Sequence, residues 1–248
     1  MGSSARRVAL VNEAGGYVGP ALAREFAARG HNLVLGNPSK ELVQELTSLG
    51  VEVESVDGVS NLARPEAGPT LIATALERFG HIDAAVAFTG AIIPVKFLDS
   101  TLEDLQKLVR GCLEAPYNFL KAVVPPMVEQ EGGQIVVITS ATGARPTKEA
   151  PLYSTVRAGA NMLVKNVAGE VASKGVQVNA LGTNFMDFPE FHAAAGSHDP
   201  KIRALIEAAV PMKRMGTMEE FAAFAMAFLD GTSGFTTGQF VGYSGGWA

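Results

Sequence analysis

Short runs of β-branched and other apolar residues alternate with amphipathic stretches along the whole 248-residue chain, and that alternation leaves few folds open. The apolar runs fall at 8–11, 33–35, 51–56, 84–88, 135–139, 176–181 and 239–242. Between them, apolar residues recur at helical spacing over 19–29, 39–49, 66–79, 101–128, 151–174 and 217–230. A run too apolar to alternate belongs to a strand covered on both faces, as in a parallel sheet. Strand–helix–strand crossovers are right-handed, so the pattern predicts one doubly wound α/β domain over 1–248, with a seven-stranded parallel sheet and helices on both faces. Glycines after Arg29, Leu49, Phe79 and Lys174 stand where such helices stop. The one irregular stretch, 182–200, is rich in Phe, Gly and His and follows the sixth strand. Open α/β sheets bind ligands at that strand end. Asp199-Pro200 then starts a short helix to about residue 209.

Hydrophobic residues make up 47% of the chain and charged residues 18%, which is enough to bury a core and unlike a disordered segment. Twenty basic against 25 acidic residues give a net charge of −5, so no nucleic-acid or anionic-membrane partner is expected. A single cysteine, Cys112, permits no internal disulfide and suits a reducing cytoplasm. Residues 1–7 lead into too few apolar residues for a signal peptide, and no run approaches the roughly 20 residues that span a bilayer. His31, His81, His192 and His198 lack metal-ligand spacing, and no metal is expected.

The chemistry concentrates around Ser140, Tyr153 and Arg157. Ser140 closes the fifth apolar run, at the end of a strand. Tyr153 and Arg157 are four apart on a helical stretch and share a face. A hydroxyl facing a phenol and a cation is an acid–base constellation, in which the Arg157 charge would favour loss of the Tyr153 proton.

The first turn reads Asn12-Glu13-Ala14-Gly15-Gly16-Tyr17-Val18-Gly19. Over nearly its whole length the chain resembles the short-chain dehydrogenase/reductase family, a Rossmann-like fold whose first turn carries Thr-Gly-x-x-x-Gly-x-Gly. Against that pattern the first glycine is Glu13, the second is Tyr17, and Gly19 alone matches. Glu13 would put negative charge near a phosphate, and Tyr17 would fill space a nucleotide needs. The family's Asn-Asn-Ala-Gly is Ala87-Phe88-Thr89-Gly90 here, its helix asparagine falls on Cys112, and Asn37 stands where an acidic residue would hold a ribose. Thr183-Asn184 replaces the family's Pro-Gly, and Arg157 replaces its lysine.

Ser-x12-Tyr-x3-Arg together with an aromatic at Tyr17 and a glycine at Gly19 resembles the halohydrin dehalogenases, although the threonine of their first-turn mark is Asn12 here. That resemblance implies a carbon–halogen lyase that closes haloalcohols to epoxides and opens epoxides with small anions, without a cofactor. It implies Ser140, Tyr153 and Arg157 as the catalytic residues. Tyr17, Thr183, Asn184, Phe185 and Met186 would bind the halide or nucleophile. Phe88, Thr142, Phe188, Phe191 and Trp247 would line the substrate pocket. Helices 101–128 and 151–174 would form the contact of a homotetramer. Two other readings stay open: an NAD(P)-dependent reductase with a diverged cofactor loop, and a non-catalytic small-molecule-binding relative.

Overall fold

The structure, a computed structural model, describes residues 6–90 and 92–248, so the start of the stretch read for a leader lies outside it. Seven strands form one sheet: β1 (Val8–Val11), β2 (Asn32–Gly36), β3 (Val53–Val56), β4 (Ala84–Phe88), β5 (Gly133–Ser140), β6 (Val176–Thr183) and β7 (Phe240–Tyr243). Their order is β3-β2-β1-β4-β5-β6-β7, and every pairing is parallel. Each strand ends within two residues of the apolar run that predicts it. The physical cause is burial on both faces. All four residues of β1 are buried, and so are Ala84–Val86 in β4 and Ile135–Ile138 in β5.

The crossover helices are α1 (Gly19–Ala28), α2 (Lys40–Ser48), α3 (Ala67–Phe79), α4 (Leu102–Val109), α5 (Ala115–Glu129) and α6 (Pro151–Val171). Beyond β6 come α7 (Pro189–Ala195), α8 (Pro200–Ala209) and α9 (Met218–Ala225). Phe26, Leu22 and Phe221 pack against one face of the sheet, while Phe119, Leu71 and Val123 pack against the other. Gly30, Gly50, Gly80 and Gly175 all take positive φ, as the glycine stops predict. Ser39 caps α2, and capping boxes at Thr101/Asp104 and Thr217/Glu220 open α4 and α9.

Two expectations are corrected. The stretch 101–128 is not one uniform helix, because Arg110–Glu114 widen into a π turn between α4 and α5. Residues 182–200 are not a plain loop: β6 runs on to Thr183, and α7 starts at Pro189, with the preceding Phe188 extended, and stops at Gly196 with φ 68°. Among the described residues no helix is long and apolar enough to cross a membrane, and no cluster of His, Cys, Asp and Glu could hold a metal ion.

Strand order reverses between β1 and β4, which opens a crevice at the C-terminal strand ends. The turns after β1, β4, β5 and β6 all reach it.

Candidate active site

Ser140, Tyr153 and Arg157 meet at the β5 and β6 side of this crevice. Pro151 begins α6, placing Tyr153 in its first turn and Arg157 one turn further, both buried. Ser154 donates to the carbonyl of Thr142 at 2.8 Å, which seats the turn after β5 against α6. Thr139 donates to Asn161 Oδ1 at 2.8 Å and ties strand to helix one turn further on. Gly143 permits that approach, since a Cβ there would lie 2.6 Å from Asn161 Nδ2.

A buried guanidinium needs partners. Arg157 donates from Nη2 to the Thr89 carbonyl at 2.7 Å and from Nη1 to the Thr89 hydroxyl at 3.2 Å. Its carbon lies 5.1 Å from the centre of the Tyr153 ring, so the charge stands against the ring face. Gly90 has no room for a side chain: a Cβ would fall 1.8 Å from Arg157 Nη2, and φ is 140°. Thr89 and Gly90 therefore hold the arginine, a role the sequence did not disclose. Ser140 Oγ accepts from the Thr142 amide at 3.2 Å and from the Thr142 hydroxyl at 2.9 Å. Its own proton reaches the Thr183 carbonyl only at 3.4 Å, a weak tether that leaves the hydroxyl able to turn to a ligand.

These groups open on a cavity of about 480 Å³. Ser140, Thr142, Tyr153, Thr183 and Asn184 line its polar end, with Arg157 behind them. Tyr17, Phe88, Phe185, Met186, Phe188 and Phe191 line much of the rest, and Glu13, Thr89, Thr139 and Glu190 add polar groups to it. Trp247, expected in the pocket, is not in this lining. It packs edge-on behind Phe185 at 5.8 Å and lies under the Arg145 guanidinium at 4.5 Å, because the C-terminal tail runs outside the aromatic layer.

The aromatic wall is fixed from behind. Asp187 accepts from His192 Nε2 at 2.6 Å and from Arg203 at 2.7 Å, joining α7 and α8 to the segment after β6. His192 Nδ1 meets Ser197 Oγ at 2.7 Å. Burial works to raise the Asp187 pKa, but the bonds from His192 and Arg203 overcome it and hold the carboxyl below its usual range. Phe185 takes φ 50°, and the chain then pairs with Gly216 through Asp187 N–H at 2.8 Å.

The cofactor of the dehydrogenase family is a nicotinamide dinucleotide, and the hydrogen bonds of the first turn test whether it suits this chain. The Gly15 amide donates to Glu13 Oε1 at 2.9 Å, so the turn meets its own carboxylate. Burial raises the Glu13 pKa against the bonds from Gly15, Ser60 and Asn37. Asn37 is committed too, accepting the Gly58 amide at 2.7 Å. Tyr17, in the left-handed region with φ 49°, donates its hydroxyl to Thr183 Oγ1 at 2.8 Å. Its ring lies 4.8 Å from Phe88 and 4.7 Å from Phe188. Burial pushes the Tyr17 pKa up to about 12 against the Thr183 bond, so this phenol stays neutral. Gly19 answers the chain itself, since a Cβ there would lie 2.0 Å from the Glu13 carbonyl. Asn12, which stands where the dehalogenases' threonine would be, accepts the Phe88 amide at 2.6 Å and ties β1 to β4. The turn as folded does not fit a dinucleotide laid over it in the dehydrogenase manner.

The family described as Enoyl-(Acyl carrier protein) reductase matches residues 14–248. A 3-oxoacyl-(acyl-carrier-protein) reductase of Synechocystis sp. is 31% identical over 247 residues, covering 97% of this chain and 96% of that protein. Among solved structures, YwfH, an NADPH dependent reductase involved in bacilysin biosynthesis, superposes with a TM-score of 0.88 at 21% identity, covering 98% of this chain and 99% of the other. A gluconate 5-dehydrogenase from Burkholderia cenocepacia J2315, solved in complex with NADP and tartrate, gives a TM-score of 0.86 at 22% identity, covering 98% and 96%. These relatives are oxidoreductases, which overturns the expected halohydrin dehalogenase and carbon–halogen lyase activity. At the coarser level the first resemblance holds: the chain belongs to the short-chain dehydrogenase/reductase family.

Proposed function

We propose that the protein is an oxidoreductase of the short-chain dehydrogenase/reductase class that interconverts an alcohol and a carbonyl compound, with Tyr153 exchanging the proton. One observation carries this reading: the Ser140 and Tyr153 side chains line one cavity while Arg157 is held against the tyrosine ring by Thr89. The oxidoreductase names of the relatives support it. Ser140 would hydrogen-bond the substrate oxygen and fix its direction. Tyr153 would take the proton in oxidation and return it in reduction. Arg157 supplies a fixed positive charge where negative charge develops on the phenol oxygen. The proton path lies in the chain's own residues, and the hydride of the alcohol carbon would pass to or from a nicotinamide nucleotide, which the first turn as folded does not seat in the dehydrogenase manner.

The test is a panel of alcohols and carbonyl compounds assayed with NADH, NADPH and their oxidised forms. Native protein, Tyr153→Phe and Tyr17→Gly would be compared. Nucleotide-linked turnover that Tyr153→Phe abolishes is the expected result. No nucleotide-linked turnover by native protein or by a folded Tyr17→Gly variant would overturn the reading.

A further inference from the structure

We infer that the substrate taken by this site is a neutral aryl or alicyclic alcohol or ketone, in contrast to the sugar-acid and acyl-carrier substrates named for the relatives. The inference rests on the proposed function only for which oxygen reacts; the rest of the ligand is read from the cavity wall.

The wall opposite Ser140 is a continuous series of rings. Phe88 meets Tyr17 at 4.8 Å, Tyr17 meets Phe188 at 4.7 Å, Phe188 meets Phe191 at 6.0 Å, and Phe191 meets Phe185 at 6.3 Å. Several contacts are tilted or edge-on, so ring faces and edges alternate around the space, and a flat or cyclic apolar body finds partners on several sides. The ladder also brings the first turn, the end of β4, the segment after β6 and α7 into one surface, so its shape is set by four separate parts of the chain.

Around Ser140 some of the polar groups are spent on each other, while Asn184 Nδ2 has no protein partner. The Thr183 hydroxyl receives Tyr17, and the Thr142 hydroxyl is given to Ser140. Such an end can receive one neutral oxygen. Arg157 is the one Lys, Arg or His among the residues lining this cavity, and it stands against the Tyr153 ring with two of its N–H groups on Thr89, so the single positive charge lies at the reacting end. The other charged residues in the lining are Glu13 and Glu190, both acidic. An anion away from that end would lose its hydration against the rings without gaining a counter-charge, and the Glu13 and Glu190 carboxylates would repel it. A polyol would set several of its hydroxyl groups against ring faces, which are poor hydrogen-bond partners.

Equilibrium binding, measured calorimetrically without nucleotide, tests the inference apart from turnover. The probes are 1-phenylethanol, cyclohexanol, gluconate and an acetoacetyl pantetheine thioester. Native protein is expected to bind the first two at least about tenfold more tightly than the last two. Phe191→Ala should weaken 1-phenylethanol by roughly 3- to 10-fold, the worth of one aromatic contact. Should that variant misfold, Phe188→Leu serves, and the ranking on native protein decides alone. Equal or tighter binding of gluconate or the thioester would overturn the inference and leave the oxidoreductase reading standing. Binding of the aryl alcohol with no redox turnover would do the reverse.

Discussion

Two strand–helix turns face each other across the cavity, and they have been put to opposite uses. After β5, the turn into α6 presents the Ser140 hydroxyl and the Tyr153 phenol to the open space, with the Arg157 charge clamped behind. After β1, the turn into α1 folds on itself: Glu13 takes the Gly15 amide, Asn12 takes the Phe88 amide, and Tyr17 gives its hydroxyl to Thr183. The two phenols show the contrast most plainly, since burial keeps Tyr17 neutral against the pull of its Thr183 bond, which ties it as a strut, while Tyr153 lies at the polar end of the cavity. On the proposed reading, proton handling and nucleotide seating would belong to separate crossovers of one fold. One can be rebuilt while the other keeps its geometry.

The two turns should differ most at Tyr153. Tyr153→Phe keeps the ring on Arg157 and removes the exchangeable proton, so turnover should fall by about 10²- to 10⁴-fold, or roughly 3–5 kcal/mol, while the melting temperature stays near native. Steady-state rates with paired thermal melts check it. Gly90→Ala comes next, because its methyl would collide with the Arg157 guanidinium. It should cost about 1–3 kcal/mol of stability and reduce turnover by at least about tenfold, read by denaturant unfolding and kinetics. On the opposite turn, Tyr17→Phe removes one hydrogen bond and should cost only about 1 kcal/mol. Tyr17→Gly should raise affinity for NADPH above that of native protein, which a nucleotide titration measures.

The smallest effect lies at the far end of the sheet. His31 is buried and accepts from Arg7 Nε at 3.2 Å, and burial followed by the Arg7 charge lowers its pKa below 6.5. Above pH 6.5 both folded and unfolded chains hold it neutral. As pH falls through that value, the unfolded chain gains a proton that the folded chain refuses, so stability declines with acidification. His31→Gln should flatten the dependence of melting temperature on pH between 7 and the folded-state pKa without changing activity at pH 7, which separates scaffold from site.

The sheet was legible because strands buried on both faces must be apolar throughout, and 84–88 or 135–139 could hardly be anything else. That Ser140, Tyr153 and Arg157 would meet was legible from a strand end and one helix face taken together. Thr89 was not, for it reaches Arg157 across 68 positions of sequence that carry no periodic signal. Helix α7 was hidden by its brevity and its Phe and His content, and Trp247 by a tail whose path only packing decides. The reaction was misread for a chemical reason. A tyrosine that exchanges a proton with a substrate oxygen serves several reactions, so the triad and one aromatic at Tyr17 could not choose among them.

The wide turn at Arg110–Glu114 has a consequence for how the chain can change length. Its closing bond joins the Ala115 amide to the Arg110 carbonyl, five positions back, so it holds one more residue than a regular turn. Removing one residue there would restore ordinary winding and leave the faces of α4 and α5 seated. The same deletion four positions into α5 would rotate everything beyond it by about 100° and swing Val123 and Met127 off the sheet. The helix thus carries a single residue of slack, placed in the turn that buries Cys112 in one cluster with Tyr153.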